Sequence, residues 1–529
     1  MSVEGSSLKA QHLADAFAAA VERGPERPFL VFGNRRVSYG QADREVRALA
    51  AALADAGIAP GDRVATILPN RPEAVTTLLA SAHLGATLVP LNPALTFPEL
   101  QYQLRHADAT VAVAITSHEG RDFLEWFSEL VTEVPEIRTV VAVGAEDLWF
   151  EGRVVPYTDL LGRGWHLPVP GGVPTDPEAV LAVLYTSGTM GKAKGVCLAH
   201  RSLVGNAERT AAALSLLPQD VVLLAVPHFT VFGTGVILQT VTAGASLVLV
   251  ERFSAADAVR SMAAEGVTVC HGVPTTFSLL VRQGAFTRAE LPRLRTGLIA
   301  GSPVPPALVR RVREVCDVEI AYGLTETGPT VSVTGKGDSA AQREETVGRP
   351  LPGIDLRLVD ERGEAVATGG AGELVLRGPW LMAGYDRMPA ETRRAFTPDG
   401  FLRTGDLAAL DPDGHIRIVG RRKEAIIRGG FNVHPREVED VLRAHPAVGE
   451  VCVVGIPHEV LGEMICACIV PTEGADVRGE EILSFARGRM ADYKVPDLVR
   501  AFDALPMTAS GKVLRRELAQ RVALDHTVS

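Results

Sequence analysis

The sequence predicts an α/β protein: a large N-terminal domain of stacked αβ subdomains with a small β-rich unit, then a small, mobile α+β C-terminal domain. Three observations predict it. From about Val37, helical patterns such as "ADREVRALAAALADAG" alternate with short apolar strands, "RVATILP", "TLVPL", "TVAVAI" and "TVVAVG", continued by "GASLVLV", "VTVCHGVP", "TGLIAG" and "VEIAYGLTE". That alternation builds βαβ units, and apolar runs without polar interruption suit strands covered on both faces. Near Leu351 the strands shorten, with turns at Asp399-Gly400 and Asp413-Gly414, the second flanked by the alternating "HIRIVG". This is hairpin chemistry and predicts a β-rich subdomain over 351–420. After Gly420 a charged cluster, "RRKE", precedes helix "PREVEDVLRAH", strands "VCVVGIP" and "MICACIVP", helix "EEILSFARGRM" and the basic "GKVLRREL". The expected division is therefore 1–420 and 421–529, hinged within Arg421 to Glu424.

Composition narrows the function. A chain of 529 residues exceeds one ordinary core, and 47% hydrophobic and 22% charged residues with a net charge of −10 describe an acidic, soluble protein. The basic excess of a nucleic-acid binder is missing. Of the six cysteines only Cys466 and Cys468 are close, flanking one alanine, and alternate positions on a buried strand make them packed thiols rather than a metal site. The start, "MSVEGSSLKAQHLADAF", has no secretory or transit pattern, so a reducing, cytoplasmic setting is expected. Val221 to Val250 carries no Asp, Glu, Lys or Arg, long enough to span a bilayer. Pro227, Gly233, Gly235 and Gly244 divide it into buried strand, buried helix and buried strand instead.

Four loops carry candidate chemistry. "YTSGTMGKAKGV" lies between two strand-like pieces; Gly188 and Gly191 free backbone N–H groups to turn inward, and hydroxyls and lysines add donors and charge, which suits phosphate. It lacks the Walker A spacing. "AYGLTET" follows an apolar strand, where parallel sheets place ligands: Tyr322 would stack on a base, and Thr325 and Glu326 would meet phosphate and metal, with a solvated loop acid as the plain alternative for Glu326. In "RTGDLAAL", Asp406 would either accept two ribose hydroxyls or stabilise a turn. Lys512, after Ser510-Gly511 in "PMTASGKVLRREL", would otherwise serve solubility.

In this order and spacing the motifs resemble the ANL superfamily of adenylate-forming enzymes, in its acyl-CoA synthetase branch (fatty-acid and 4-coumarate-CoA-ligase-like), over nearly the whole chain. The segment Thr186 to Gly195 is similar to the family's T-S-G-[ST]-T-G-x-P-K-G loop, and "YGLTET", "GELVLRGPWLMAGY", "TGD", "GRRKEAIIRGGFNVHPREVE" and "SGK" match later motifs. The resemblance implies a two-step ligase: a carboxylate attacks the α-phosphate of ATP with Mg²⁺, giving an acyl-adenylate, and the thiol of CoA then displaces AMP. It implies that Thr186, Ser187, Gly188, Thr189, Met190, Gly191 and Lys194 cradle phosphate, that Tyr322 faces adenine beside Gly301 and Ser302, and that Asp406 and Arg421 hold ribose. Thr325 would touch the α-phosphate, Glu326 would bind Mg²⁺, and Lys512 would bridge carboxylate and α-phosphate. The C-terminal domain would then swing about Lys423 to offer Gly429 and Gly430 to CoA. Amino-acid-activating relatives carry an aspartate near Phe229 to Gly233, which this chain lacks, so a non-amino acid is expected in a pocket lined by His228, Phe229, Thr230 and Gly233. Only 17 residues follow Lys512, so no fused carrier-protein domain is expected. A homodimer is also expected.

Three positions depart from the pattern: Met190 for the second threonine of the loop, Ala193 for its proline, and Thr230 for a frequent histidine, with His228 as a nearby substitute. Loss of one hydroxyl donor to phosphate costs about 1.5–3 kcal/mol. Met190 therefore raises a second reading, a thioester-only ligase that takes acyl-AMP from a partner adenylating enzyme. A non-catalytic acyl-nucleotide binder would be expected to lose Lys512 or the hinge, and a luciferase-like oxygenase on the same fold is not separable by motif.

Overall fold

The computed structural model describes residues 11–144, 152–171, 176–186, 193–367, 369–421, 424, 426–428, 431–458, 461–475, 478–487, 489–490, 494–508 and 512–527. The chain divides into two compact units. One comprises Met1–Glu344, Gly348–Asp355 and Arg377–Gly400, and the other Glu345–Val347, Leu356–Leu376 and Phe401–Ser529.

The first unit is built on two large, mainly parallel sheets. The eight-stranded sheet runs, from edge to edge, through Gly384–Tyr385, Lys194–Ala199, Val180–Thr186, Thr87–Leu91, Arg63–Ile67, Val111–Ile115, Thr139–Val143 and Val154–Pro156. The nine-stranded sheet runs through Arg349–Pro350, Ser332–Val333, Asp317–Tyr322, Thr296–Ile299, Val269–Cys270, Val221–Leu224, Ser246–Leu249, Pro28–Phe32 and Arg35–Ser38. Its central strands are buried along most of their length, as their uninterrupted apolar runs require.

The uncharged run resolves into strand Val221–Leu224, helix Val231–Ala243 and strand Ser246–Leu249, and no described helix is long and apolar enough to cross a membrane. Local chemistry sets the helix ends. Thr230 is its N-cap, accepting the Gly233 N–H at 3.1 Å, and Gly244 ends it in the left-handed region at φ 70°.

In the second unit, Asp355–Val359, Ala371–Arg377, Leu402–Leu410 and Ile416–Arg421 form a four-stranded sheet that begins within the first unit's boundary. The Asp413-Gly414 turn closes a hairpin as expected. Asp399-Gly400 does not: Pro389 opens the helix Pro389–Ala395, and the turn, closed by Gly400 N–H to Thr397 C=O at 3.0 Å, leads from that helix into a strand. Beyond lies a sheet centred on the antiparallel pair Val448–His458 and Gly462–Pro471, covered by Pro435–Leu442, Gly479–Arg487 and Arg515–Thr527. Cys466 and Cys468 share one buried face of that strand, their sulfurs 3.9 Å apart.

Three histidines are packed into the first unit as neutral rings. His200 stacks on His12 with centroids 3.6 Å apart, and burial lowers it to about 3; burial lowers His228 to about 4 and His271 to about 3. All three lie below the ordinary value of 6.5, so once pH falls below about 6.5 the unfolded chain binds more protons than the folded one. Stability is thus complete above that pH and declines by up to about 1.4 kcal/mol per pH unit per ring down to about pH 4. Urea titrations between pH 7.5 and 4.5 should show this decline, with His200→Asn reducing the slope by about one proton; an unchanged slope contradicts it.

Candidate active site

Parallel pairing builds one rim. Val221–Leu224 pairs in parallel with Val269–Cys270, which pairs with Thr296–Ile299, which pairs with Asp317–Tyr322. The segments just past their carboxyl ends, from Ala225, His271, Ala300 and Gly323, therefore share one edge. There the structure places His228, Phe229, Thr230, Gly301, Ser302, Tyr322, Thr325 and Glu326. Gly301 takes φ 90°. Tyr322 ends its strand, and its C=O accepts Val331 N–H at 2.7 Å as the chain folds back. A Cβ on Gly323 would lie 2.3 Å from Pro329 O, so only glycine permits this turn. Thr325–Thr327 then forms a single 3₁₀ turn carrying Glu326.

Glu326 is not a solvated loop acid. Tyr385 Oη donates to Glu326 Oε1 at 2.9 Å, and Lys194 Nζ stands 4.7 Å from the Tyr385 ring centroid. Backbone bonds fix the group: Met382 N–H donates to Glu326 C=O at 2.8 Å, and Tyr385 pairs with Val196 across antiparallel strands. Burial first, and Glu326 second, push the Tyr385 phenol above its ordinary value, so it remains a donor. Tyr385 closes the motif "GELVLRGPWLMAGY", but nothing in the sequence pairs it with a glutamate 59 positions earlier.

Ser187, Gly188, Thr189, Met190 and Gly191 lie outside the described residues, but the stem of their loop is well defined. Thr186 pairs with Lys194 at the end of the hairpin Val180–Thr186 and Lys194–Ala199. Tyr185 Oη donates to Gln103 C=O at 3.1 Å, Tyr102 Oη donates to Ala193 C=O at 3.2 Å, and Asp386 N–H donates to Gly195 C=O at 2.7 Å. Asp386 is itself clamped by Arg63 through two bonds of 2.6 and 2.8 Å. Ala193 thus stands where its backbone is already held.

The residues expected to line an acyl pocket lie around the start of helix Val231–Ala243. Besides capping it, Thr230 Oγ1 donates to Pro227 C=O at 2.8 Å, which gives this departure a structural reason. A Cβ on Gly233 would lie 2.1 Å from Pro227 O. His228 is buried, tied by its N–H to Asn70 Oδ1 at 2.9 Å, and neither ring nitrogen has a partner among the described residues.

In the second unit Asp406 and Arg421 face each other across two strands, Arg421 Nε 2.7 Å from Asp406 Oδ1. Asp406 is buried while the guanidinium is half exposed. Arg436, partly buried, lies close enough to feel the Asp406 charge, and desolvation holds it below the ordinary guanidinium value. Lys512 is exposed, and its C=O accepts Thr508 N–H at 2.7 Å. Lys423, Gly429 and Gly430 lie outside the described residues.

The AMP-binding enzyme family model matches residues 17–386, and the AMP-binding enzyme C-terminal domain model matches 437–512. The putative acyl-CoA synthetase YngI of Bacillus subtilis (strain 168) is 35% identical over 526 residues, covering 94% of each chain. ATP-bound MatB from Rhodopseudomonas palustris superposes with a TM-score of 0.86 at 28% identity, covering 96% of this chain and 99% of that one. The anthranilate CoA ligase AuaEII, in complex with anthranoyl-AMP, gives 0.88 at 25% identity over 98% of each. The chain belongs to the AMP-binding enzyme family. Within it, the chain falls in the acyl-CoA synthetase branch of the ANL superfamily, whose members are acid-thiol ligases.

If Tyr385 orients Glu326, Tyr385→Phe should lower the rate of pyrophosphate release about tenfold, the scale of one hydrogen bond to a charged group. Adding Tyr385→Phe to Glu326→Gln should then cost little more; full additivity in that double-mutant cycle would separate the two residues.

Proposed function

We propose that the protein converts a non-amino carboxylic acid to its CoA thioester through an acyl-adenylate, using ATP. The observation that carries this reading is the rim assembly, where Glu326, held by Tyr385 beside Lys194, shares an edge with Tyr322, Gly301 and Ser302. A carboxylate resists attack by a thiol, and transfer of AMP to its oxygen supplies a leaving group. The first half-reaction therefore calls for positioning and charge neutralisation more than for covalent catalysis.

The resemblance to the family assigns each residue its role in this reading. Tyr322 stacks on adenine, the 186–194 loop cradles the β- and γ-phosphates, Thr325 donates to the α-phosphate, and Asp406 with Arg421 accepts and orients the ribose. The donor set at Glu326 fits Mg²⁺: a single oriented carboxylate, without competing imidazole or thiol, suits a hard ion that keeps its waters and binds phosphate oxygens. Bound there, Mg²⁺ would neutralise phosphate charge. Lys512, itself exposed, bridges the carboxylate and the α-phosphate in the first half-reaction. We place the mobile domain at 421–529 with its hinge at Lys423, so that withdrawal of Lys512 makes way for CoA at Gly429 and Gly430.

Met190 supports the second reading, a thioester-only ligase fed with acyl-AMP. Exchange of labelled pyrophosphate into ATP with a carboxylate panel, run beside thioester formation from synthetic acyl-adenylate and CoA, separates the two. The complete ligase performs both, whereas activity in the second assay alone establishes the thioester-only enzyme, and failure of both removes the ligase reading. Lys512→Ala should lower exchange by about 100-fold or more while sparing the second assay. Met190→Thr should raise exchange by roughly 10-fold or more if the missing hydroxyl limits the first half-reaction; no change would clear the methionine.

A further inference from the structure

Two charge-bearing parts of the site meet at Asp386, which is buried. Its N–H donates to Gly195 C=O at 2.7 Å, next to Lys194 on the strand that returns from the phosphate loop. The residue before it, Tyr385, holds Glu326 at 2.9 Å. The two strands approach closely here: a Cβ on Gly195 would lie 2.7 Å from Val183 Cγ1 and 3.3 Å from Asp386 Cβ.

From Asp386 a closed circuit of bonds returns to the same loop stem. Its carboxylate accepts Arg63 Nη1 at 2.6 Å and Nη2 at 2.8 Å, and Arg63 Nη1 also donates at 2.7 Å to the C=O of Ala107, the last residue of helix Phe97–Ala107. That helix supplies Tyr102, which donates to Ala193 C=O, and Gln103, whose C=O accepts Tyr185 Oη. His106 stands between the two ends, its Nδ1 2.8 Å from Tyr185 Oη and 4.0 Å from Asp386 Oδ2. The bonds to Asp386, as the leading cause, raise the Arg63 guanidinium above its ordinary value, so it stays charged. Both arms of the loop's hairpin and the strand of Tyr385 are thus tied to one helix, the last of them through one ion pair.

Stability alone does not call for such a pair, since well-packed apolar residues of similar volume often hold a fold as well as a buried ion pair does. What a two-point guanidinium–carboxylate bond adds is fixed orientation. We propose that Arg63 and Asp386 are positioning residues of the adenylation half-reaction, holding the stem of the phosphate loop and Glu326 at one fixed separation. This rests on the ligase reading above, in which neither residue has a role. There the loop and Glu326 serve one triphosphate, and a misplacement of about 1 Å between such groups costs on the order of 100-fold in rate. The thiol step begins after pyrophosphate has left, so it does not depend on that separation.

The test compares the two half-reactions in full-length variants. Asp386→Asn and Arg63→Lys should each lower exchange of labelled pyrophosphate into ATP by about tenfold or more, while thioester formation from synthetic acyl-adenylate and CoA stays within about twofold of wild type. Because the two residues act as one clamp, the double variant should fall little below the worse single one. Arg63→Lys carries the test alone if Asp386→Asn does not fold. An equal fall in both assays marks a merely structural pair and overturns the proposal, as does exchange unmoved by either variant or full additivity in the double variant; the ligase reading survives all three. Absence of exchange in the wild-type protein overturns the complete ligase and this proposal with it.

Discussion

The site depends on the parallel register of four strands. Val222 faces Val269, Val269 faces Thr296, and Thr296 faces Asp317, so segments separated by roughly a hundred residues in sequence reach one edge at one level. Hydrogen bonding sets the level, but burial sets the register. A one-residue slip would turn the apolar faces of Leu298 and Ile299, which serve two different cores, to the wrong sides. Chemistry can then be distributed over short loops, because the sheet has already paid their positional cost.

Much of this was legible because the relevant signals are local. Uninterrupted apolar runs read as buried strands, the breaks at Pro227 and Gly244 divided an apparent membrane span into strand, helix and strand, and "YGLTET" after a strand pointed to the rim. The misses share a cause. Tyr385 bonds Glu326 across 59 positions, and no periodicity encodes that distance. Asp399-Gly400 resembles a hairpin turn because the same dipeptide serves any tight reversal, and only the helix opened by Pro389 shows what precedes it.

Thr230 illustrates the converse. By motif it is a departure, yet its hydroxyl satisfies the Gly233 N–H and the Pro227 C=O at the point where the helix must start. A residue that differs from a family pattern can thus have a purely structural reason. Rigidity is placed with similar economy around the loop that carries Met190: Tyr102, Tyr185 and the Arg63–Asp386 clamp hold its stem.

The central claim is that a carboxylate oxygen of the substrate attacks the α-phosphorus of ATP. It is tested most directly by supplying an acid labelled with ¹⁸O in its carboxylate, together with ATP and CoA, and determining by mass spectrometry where the label goes. The account predicts one labelled oxygen in AMP for each thioester formed. Label in inorganic phosphate instead, with ADP as the nucleotide product, would contradict it.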